Sequence, residues 1–185
     1  MVMSMQKLFQ GKYRIPSARA EFWDYSQEGS YFVTICTKNR VRYFGEVRNG
    51  IVVLSDIGKI VQEEWLRTPT IRPDMNVCLG EFIIMPDHLH SLLNVGNNQF
   101  NYVAGIDGKM QSNIQGYTNS RTPGPQCKNL ASIIRGFKSA VTARVQHLSA
   151  AFSWQPNYHE RIIRDDRAYV AISQYIKNNP ANWKK

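Results

Sequence analysis

The sequence predicts an α+β protein, an antiparallel sheet with helices packed mainly on one face. Three observations carry that prediction. An Asn49-Gly50 dipeptide stands between two short β-branched runs, the strongest short hairpin signal a sequence offers. Two further strand-like runs, 77–85 and 88–95, are separated only by the Pro86-Asp87 break. Three other segments space their apolar residues at helical intervals.

The elements follow in order. Residues 1–28 are mixed in character and take no clear assignment. "SYFVTICTKN", 30–39, is β-branched and aromatic and reads as a strand. Residues 43–55 read as a short strand pair turning at Asn49-Gly50. The stretch 55–69 opens with capping residues and carries Ile57, Ile60, Val61 and Trp65 at helical spacing; the helix is expected to stop before Pro69. "VCLGEFIIM" and "HLHSLLNV" are strands. Residues 96–128 are rich in Gly, Asn, Gln and Ser and lose all periodicity, so a long flexible loop is expected there. Leu130, Ile133, Ile134, Phe137, Val141, Val145 and Leu148 then form one helical face, with Asn129 as N-cap. "SWQPNYHERIIRD", 153–165, reads as an aromatic, basic connector. Asp165 or Asp166 caps a last helix that reaches about Asn179 and is ended by Pro180, with Tyr169, Ile172 and Ile176 as its buried stripe. No internal repeat appears, and 1–185 is expected to be a single domain.

Bulk properties narrow the class. A hydrophobic content of 43% supports a core. No stretch approaches the roughly 20 apolar residues of a membrane span. The N-terminal segment has no apolar stretch of the signal-peptide kind, so a cytoplasmic protein without membrane association is expected. Cys36, Cys78 and Cys127 are widely spaced and form no CxxC; Cys36 and Cys78 fall in apolar runs and are expected to be buried, reduced thiols. Residues 1–127 carry 13 Lys/Arg and 11 Asp/Glu, whereas 128–185 carry 10 and 3. A basic excess concentrated in the last third suits a polyanion, nucleic acid above all, although it would also serve solubility.

The chemistry-bearing residues begin with "FIIMPDHLHSLLNV", 82–95. In a strand His88 and His90 point to the same face and Leu89 to the other. Core packing has no use for two adjacent imidazoles; a metal or phosphate site does. Zinc would need a third ligand, and neither His147 nor His159 makes a recognisable zinc spacing. On the last helix, Tyr175 and Asn179 are four residues apart and share a side beside the apolar stripe. They could project into a cleft, or simply be a core-edge tyrosine and a helix-end amide. Two imidazoles and an amide oxygen make an incomplete mixed shell that suits Mn²⁺ or Mg²⁺. Such an ion would polarise a phosphodiester for attack by Tyr175.

Four stretches, "YFVTICTKNR", "GEFIIMPDHLHSLLNV", "FSWQPNYHERIIRD" and "YIKNNPANW", together resemble the single-tyrosine HUH transposases (His, hydrophobe, His), and most of all the REP-associated tyrosine transposases. They stand in that family's order and spread over nearly the whole chain. The resemblance implies a ferredoxin-like α+β fold and a metal-dependent transposase. It implies cleavage and rejoining of single-stranded or hairpin DNA through a 5′-phosphotyrosine, with a free 3′-hydroxyl leaving. His88 and His90 match the metal motif, Tyr175 the nucleophile and Asn179 the polar ligand one turn later. Such a protein would work as a monomer or homodimer.

Arg135, Lys138, Arg161 and Arg164 are the expected nucleic-acid contacts. Phe152, Trp154 and Tyr158 lie beside the last two and could stack bases or lock helices together. Tyr158 is a weaker rival nucleophile, lacking the Tyr-x-x-x-Asn context. The competing reading is a module that binds nucleic-acid hairpins without cutting them; a zinc hydrolase is a third.

Overall fold

The computed structural model describes residues 25–98 and 128–183. Its six strands are β1 (Gly29–Cys36), β2 (Gly45–Arg48), β3 (Ile51–Leu54), β4 (Val77–Met85), β5 (His88–Val95) and β6 (His159–Ile163). Its three α-helices are α1 (Asp56–Ile71), α2 (Leu130–Val145) and α3 (Asp166–Asn178). The main sheet runs β4-β5-β1-β6, and every neighbouring pair is antiparallel. Without the β2–β3 hairpin, the chain order β1-α1-β4-β5-α2-β6 is the ferredoxin-like arrangement. The fold is thus α+β, with α3 added after it.

Local signals explain most boundaries. Asn49 and Gly50 both have positive φ, 52° and 74°, as a type I′ turn demands. Ser55 caps α1 by accepting from the Gly58 N–H. Asn129 and Ser132 bond reciprocally as a capping box at α2. Asp165 accepts from the Ala168 N–H at 2.7 Å and starts α3.

Period two in β1 and β5 sorts their side chains onto two faces. Tyr31, Val33 and Ile35 point with Leu89, Ser91 and Leu93 toward α1 and α2, and all six are fully buried. Trp65 fills this layer, stacks edge-on against Phe137 at 4.9 Å and donates its indole N–H to Ser91 at 3.1 Å. The alternate residues, Phe32 and Thr34 of β1 with His88, His90 and Leu92 of β5, face the other way, toward α3. Two helices therefore cover one face and one covers the other. Gly80 makes room for the third: a Cβ there would come within 2.4 Å of the Tyr169 hydroxyl.

Four expectations need correction. α1 passes through Pro69 and ends at Ile71. Proline removes one N–H but is tolerated in a last turn whose next cap bond, Arg72 N–H to the Thr68 carbonyl, still forms. α2 ends at Val145, and Leu148 is exposed. The connector 153–165 contains strand β6, an edge strand whose polar, half-exposed residues hide the signal. Cys78 is exposed, while Cys36 is buried as expected. The expected loop over 96–128, apart from its ends, and Cys127 lie outside the described residues.

Candidate active site

β5 begins immediately after the Pro86-Asp87 turn and presents His88 and His90 on its α3 face, only 4% and 8% exposed. Their rings lie 4.4 Å apart, centre to centre. Each imidazole is held at Nδ1. His88 Nδ1 lies 2.5 Å from Asp87 Oδ1, and His90 Nδ1 lies 2.8 Å from the Thr34 hydroxyl. The Asp87 carboxylate accepts from His88 Nδ1, the arrangement that orients a histidine ligand, whereas the Thr34 hydroxyl can donate or accept at His90 Nδ1.

Asp87 is itself anchored. It is buried, and Arg40 Nε lies 3.4 Å from its second oxygen. Burial alone would raise its pKa; the hydrogen bond and charge of His88, with the charge of Arg40, outweigh that and hold it below the usual carboxylate range. For His90, burial pushes the pKa down to about 3, helped by the charges of His88 and Arg40. His90 is therefore neutral at physiological pH. A group of that basicity is a poor acceptor for a phenolic proton, and its neutral form is the one that ligates metal.

α3 crosses over this pair. Tyr175 is 50% exposed, yet its hydroxyl reaches within 3.4 Å of His90 Nε2. Its ring meets His90 at 5.5 Å and Phe32 edge-on at 6.0 Å. Eight residues on, the Trp183 ring lies 5.9 Å from His88. Asn179 stands midway along the chain between Tyr175 on His90 and Trp183 on His88, at the C-cap of α3. α3 is pinned by the buried Ile176 and by a Lys177–Glu81 pair at 3.1 Å.

Among the described residues, no group of three or more His, Cys, Asp or Glu could hold a metal. The histidine pair itself offers two imidazole nitrogens, and Asn179 is placed only as the C-cap of α3. Cys36 is the cross-strand partner of His88, but burial raises its thiol pKa despite the Arg40 N–H bonded to its sulfur at 2.9 Å. A thiol that keeps its proton does not compete as a ligand.

The expected nucleic-acid contacts divide. Arg161 is the cross-strand partner of Phe32 and so shares the site face; Arg164 follows β6, exposed. Arg135 and Lys138 belong to α2, across the sheet. Lys138 lies within hydrogen-bond distance of the Gln155 and Asn157 carbonyls, and burial lowers its pKa to about 8. Trp154 donates to the Lys138 carbonyl and packs on Phe44, Phe137 and Phe152, the helix-locking role. Sequence reasoning passed over Asp87, Arg40, Thr34 and Trp183. His159, set aside there for want of a zinc spacing, pairs from β6 with Thr34 of β1 and faces the same side as His90. The period-two alternation of "HERII" was the one signal for it.

No protein-family model matches the chain. An uncharacterised protein of Haemophilus influenzae Rd is 35% identical over 170 residues, covering 91% of this chain and 89% of its own. The chain belongs to that protein's family. Among solved structures, a REP-associated tyrosine transposase bound to a REP hairpin superposes with a TM-score of 0.56 at 17% identity, over 89% of this chain and 74% of that one. The chain thus has a tyrosine-transposase fold. A Deinococcus radiodurans R1 structure matches more distantly, with a TM-score of 0.42 and 15% identity over 86% of this chain and 95% of its own. No helix among the described residues is long and apolar enough to cross a membrane.

Proposed function

We propose that this protein is a metal-dependent transposase that cleaves and rejoins single-stranded or hairpin DNA through Tyr175. The observation that carries the reading is the Tyr175 hydroxyl 3.4 Å from Nε2 of His90, whose ring lies 4.4 Å from a second imidazole held at Nδ1 by Asp87. A nucleophile next to two prepared ligand nitrogens has a use in phosphoryl transfer and none in packing. The tyrosine-transposase fold supports the same assignment, and the hairpin bound to the solved relative makes hairpin DNA the first substrate to test.

In this reading the Tyr175 oxygen attacks phosphorus and the P–O3′ bond breaks. The 5′-phosphate stays on Tyr175, the phenolic proton passes to solvent, and the leaving 3′-oxygen takes a proton from solvent to become a hydroxyl. Rejoining is the reverse with a different 3′-hydroxyl. His88, His90 and Asn179 would hold Mg²⁺ or Mn²⁺, which supplies positive charge against the phosphate oxygens. Asp87 orients the His88 imidazole and Thr34 positions that of His90. Phe32 supports the Tyr175 ring, and Arg161 with Arg164 holds flanking phosphates. The test is incubation with labelled hairpin DNA and Mn²⁺ on denaturing gels. A covalent protein–DNA species is expected; shifted but uncut DNA would make the protein a binding module instead.

A further inference from the structure

A second basic surface adjoins the site from the N-terminal half of the chain, where the overall charge is nearly balanced. The link between β1 and β2 holds Lys38, Arg40 and Arg42, all exposed, with no carboxylate between them. The link is rigid. Thr37 is fully buried, and its hydroxyl lies 2.7 Å from the Val41 carbonyl and 3.1 Å from that of Asp87. Its N–H donates to the Asp87 carbonyl, and the Lys38 N–H donates to the Ser153 carbonyl, each at 2.9 Å. Asn39 and Arg40 adopt left-handed φ of 54° and 57°, a conformation that persists only where the surroundings impose it.

The three cations are not equivalent. Arg40 turns inward to Asp87 and Cys36. Lys38 and Arg42 remain for a ligand. Arg42 lies 5.8 Å over the Trp183 ring, which in turn lies 5.9 Å from His88. The nearby acids are engaged, Asp87 by Arg40 and Glu46 by Arg48. A cation over an aromatic ring, on a preformed loop beside a phosphoryl-transfer site, is the chemistry that grips a single strand: phosphate on the cation, base on the ring.

We propose that Lys38 and Arg42 bind phosphates of the DNA strand on the His88 side of the site, opposite the Arg161 side on β6. The strand then crosses the site from β6, past Tyr175, to the β1–β2 link. This rests on the reading of the site as one that handles single-stranded DNA. It adds a contact surface outside the basic C-terminal third.

The test is fluorescence anisotropy of labelled oligothymidylate against salt, with the full chain. Each phosphate contact adds roughly 0.7 to the negative log–log slope for a single strand. Lys38→Ala with Arg42→Ala should lower the slope by about 1.4, with an unchanged melting temperature, because both side chains are exposed. Should that variant melt early, Lys38→Gln with Arg42→Gln, which keeps the aliphatic stems, must show the same loss of slope. An unchanged slope in a folded variant, with wild-type binding intact, overturns this inference and leaves the function standing. Absence of salt-dependent binding in the wild type overturns both.

Discussion

The two faces of the central sheet are made by the same strands and do different work. Toward α1 and α2, β1 and β5 present Tyr31, Val33, Ile35, Leu89 and Leu93, all fully buried. Toward α3, one residue out of step, they present Phe32, Thr34, His88 and His90. The covering helices differ in the same sense. α2 buries residues from Leu130 to Val145 along its whole length, whereas α3 buries only Ile176. A strand's period of two lets one segment carry both a core and a candidate site. The comparison teaches that the apolar core is held on one face and the candidate site on the other.

The sharpest way to break that division is to swap the consequences. His88→Ala or His90→Ala should abolish Mn²⁺-supported cleavage of hairpin DNA while the melting temperature stays near that of the wild type. A double variant that unfolds far earlier would make the imidazoles structural. On the opposite face, Trp65→Ala should cost about 3–5 kcal/mol in urea unfolding, because it empties the layer between sheet and helices and strands the Ser91 hydroxyl. A loss below about 1 kcal/mol would mean the layer is not the core.

Smaller changes sharpen the account of the site. Asp87→Ala should weaken Mn²⁺ binding by about 10–100-fold, read by electron paramagnetic resonance, since His88 loses the group that fixes its tautomer. Asp87→Asn, which keeps an acceptor oxygen, should lose less. Equal losses in both would argue for charge rather than orientation.

Acidification tests a single buried group. The folded pKa of His90 is lowered to about 3, so between the unfolded value near 6.5 and that point the unfolded chain binds more protons. Metal-free protein should therefore lose stability as pH falls from about 6.5 toward 3, by at most about 1.4 kcal/mol per unit from this group. His90→Gln should flatten that slope, as seen in melts at several pH values. A slope unchanged by the substitution would place His90 in contact with solvent.

The site was legible where its pattern is local. Two histidines on one strand face and a Tyr-x-x-x-Asn on one helix side follow from periods of 2.0 and 3.6, and the structure brings Tyr175 against His90 as that reading required. The fold was legible for the same reason, through Asn49-Gly50 and the caps Ser55, Asn129 and Asp165. What sequence could not show depends on contacts between distant segments. Trp183 meets His88, and Arg40 meets Asp87, only after the sheet has formed. β6 stayed hidden because an edge strand that pairs on one side tolerates Glu160 and Arg161. Lys138 looked like a phosphate contact because spacing cannot reveal the carbonyls of Gln155 and Asn157 that receive it.

The central claim is that Tyr175 is the nucleophile, and one measurement addresses it most directly. Wild-type protein and Tyr175→Phe are each incubated with hairpin DNA and Mn²⁺, digested and analysed by mass spectrometry. The substitution removes one half-exposed hydroxyl and leaves the ring packing on Phe32 and His90 in place. The account predicts a phosphotyrosine-linked nucleotide at Tyr175 in the wild type and none in the variant, with hairpin binding retained. Adduct that persists in Tyr175→Phe, or that maps to Tyr158, would contradict it.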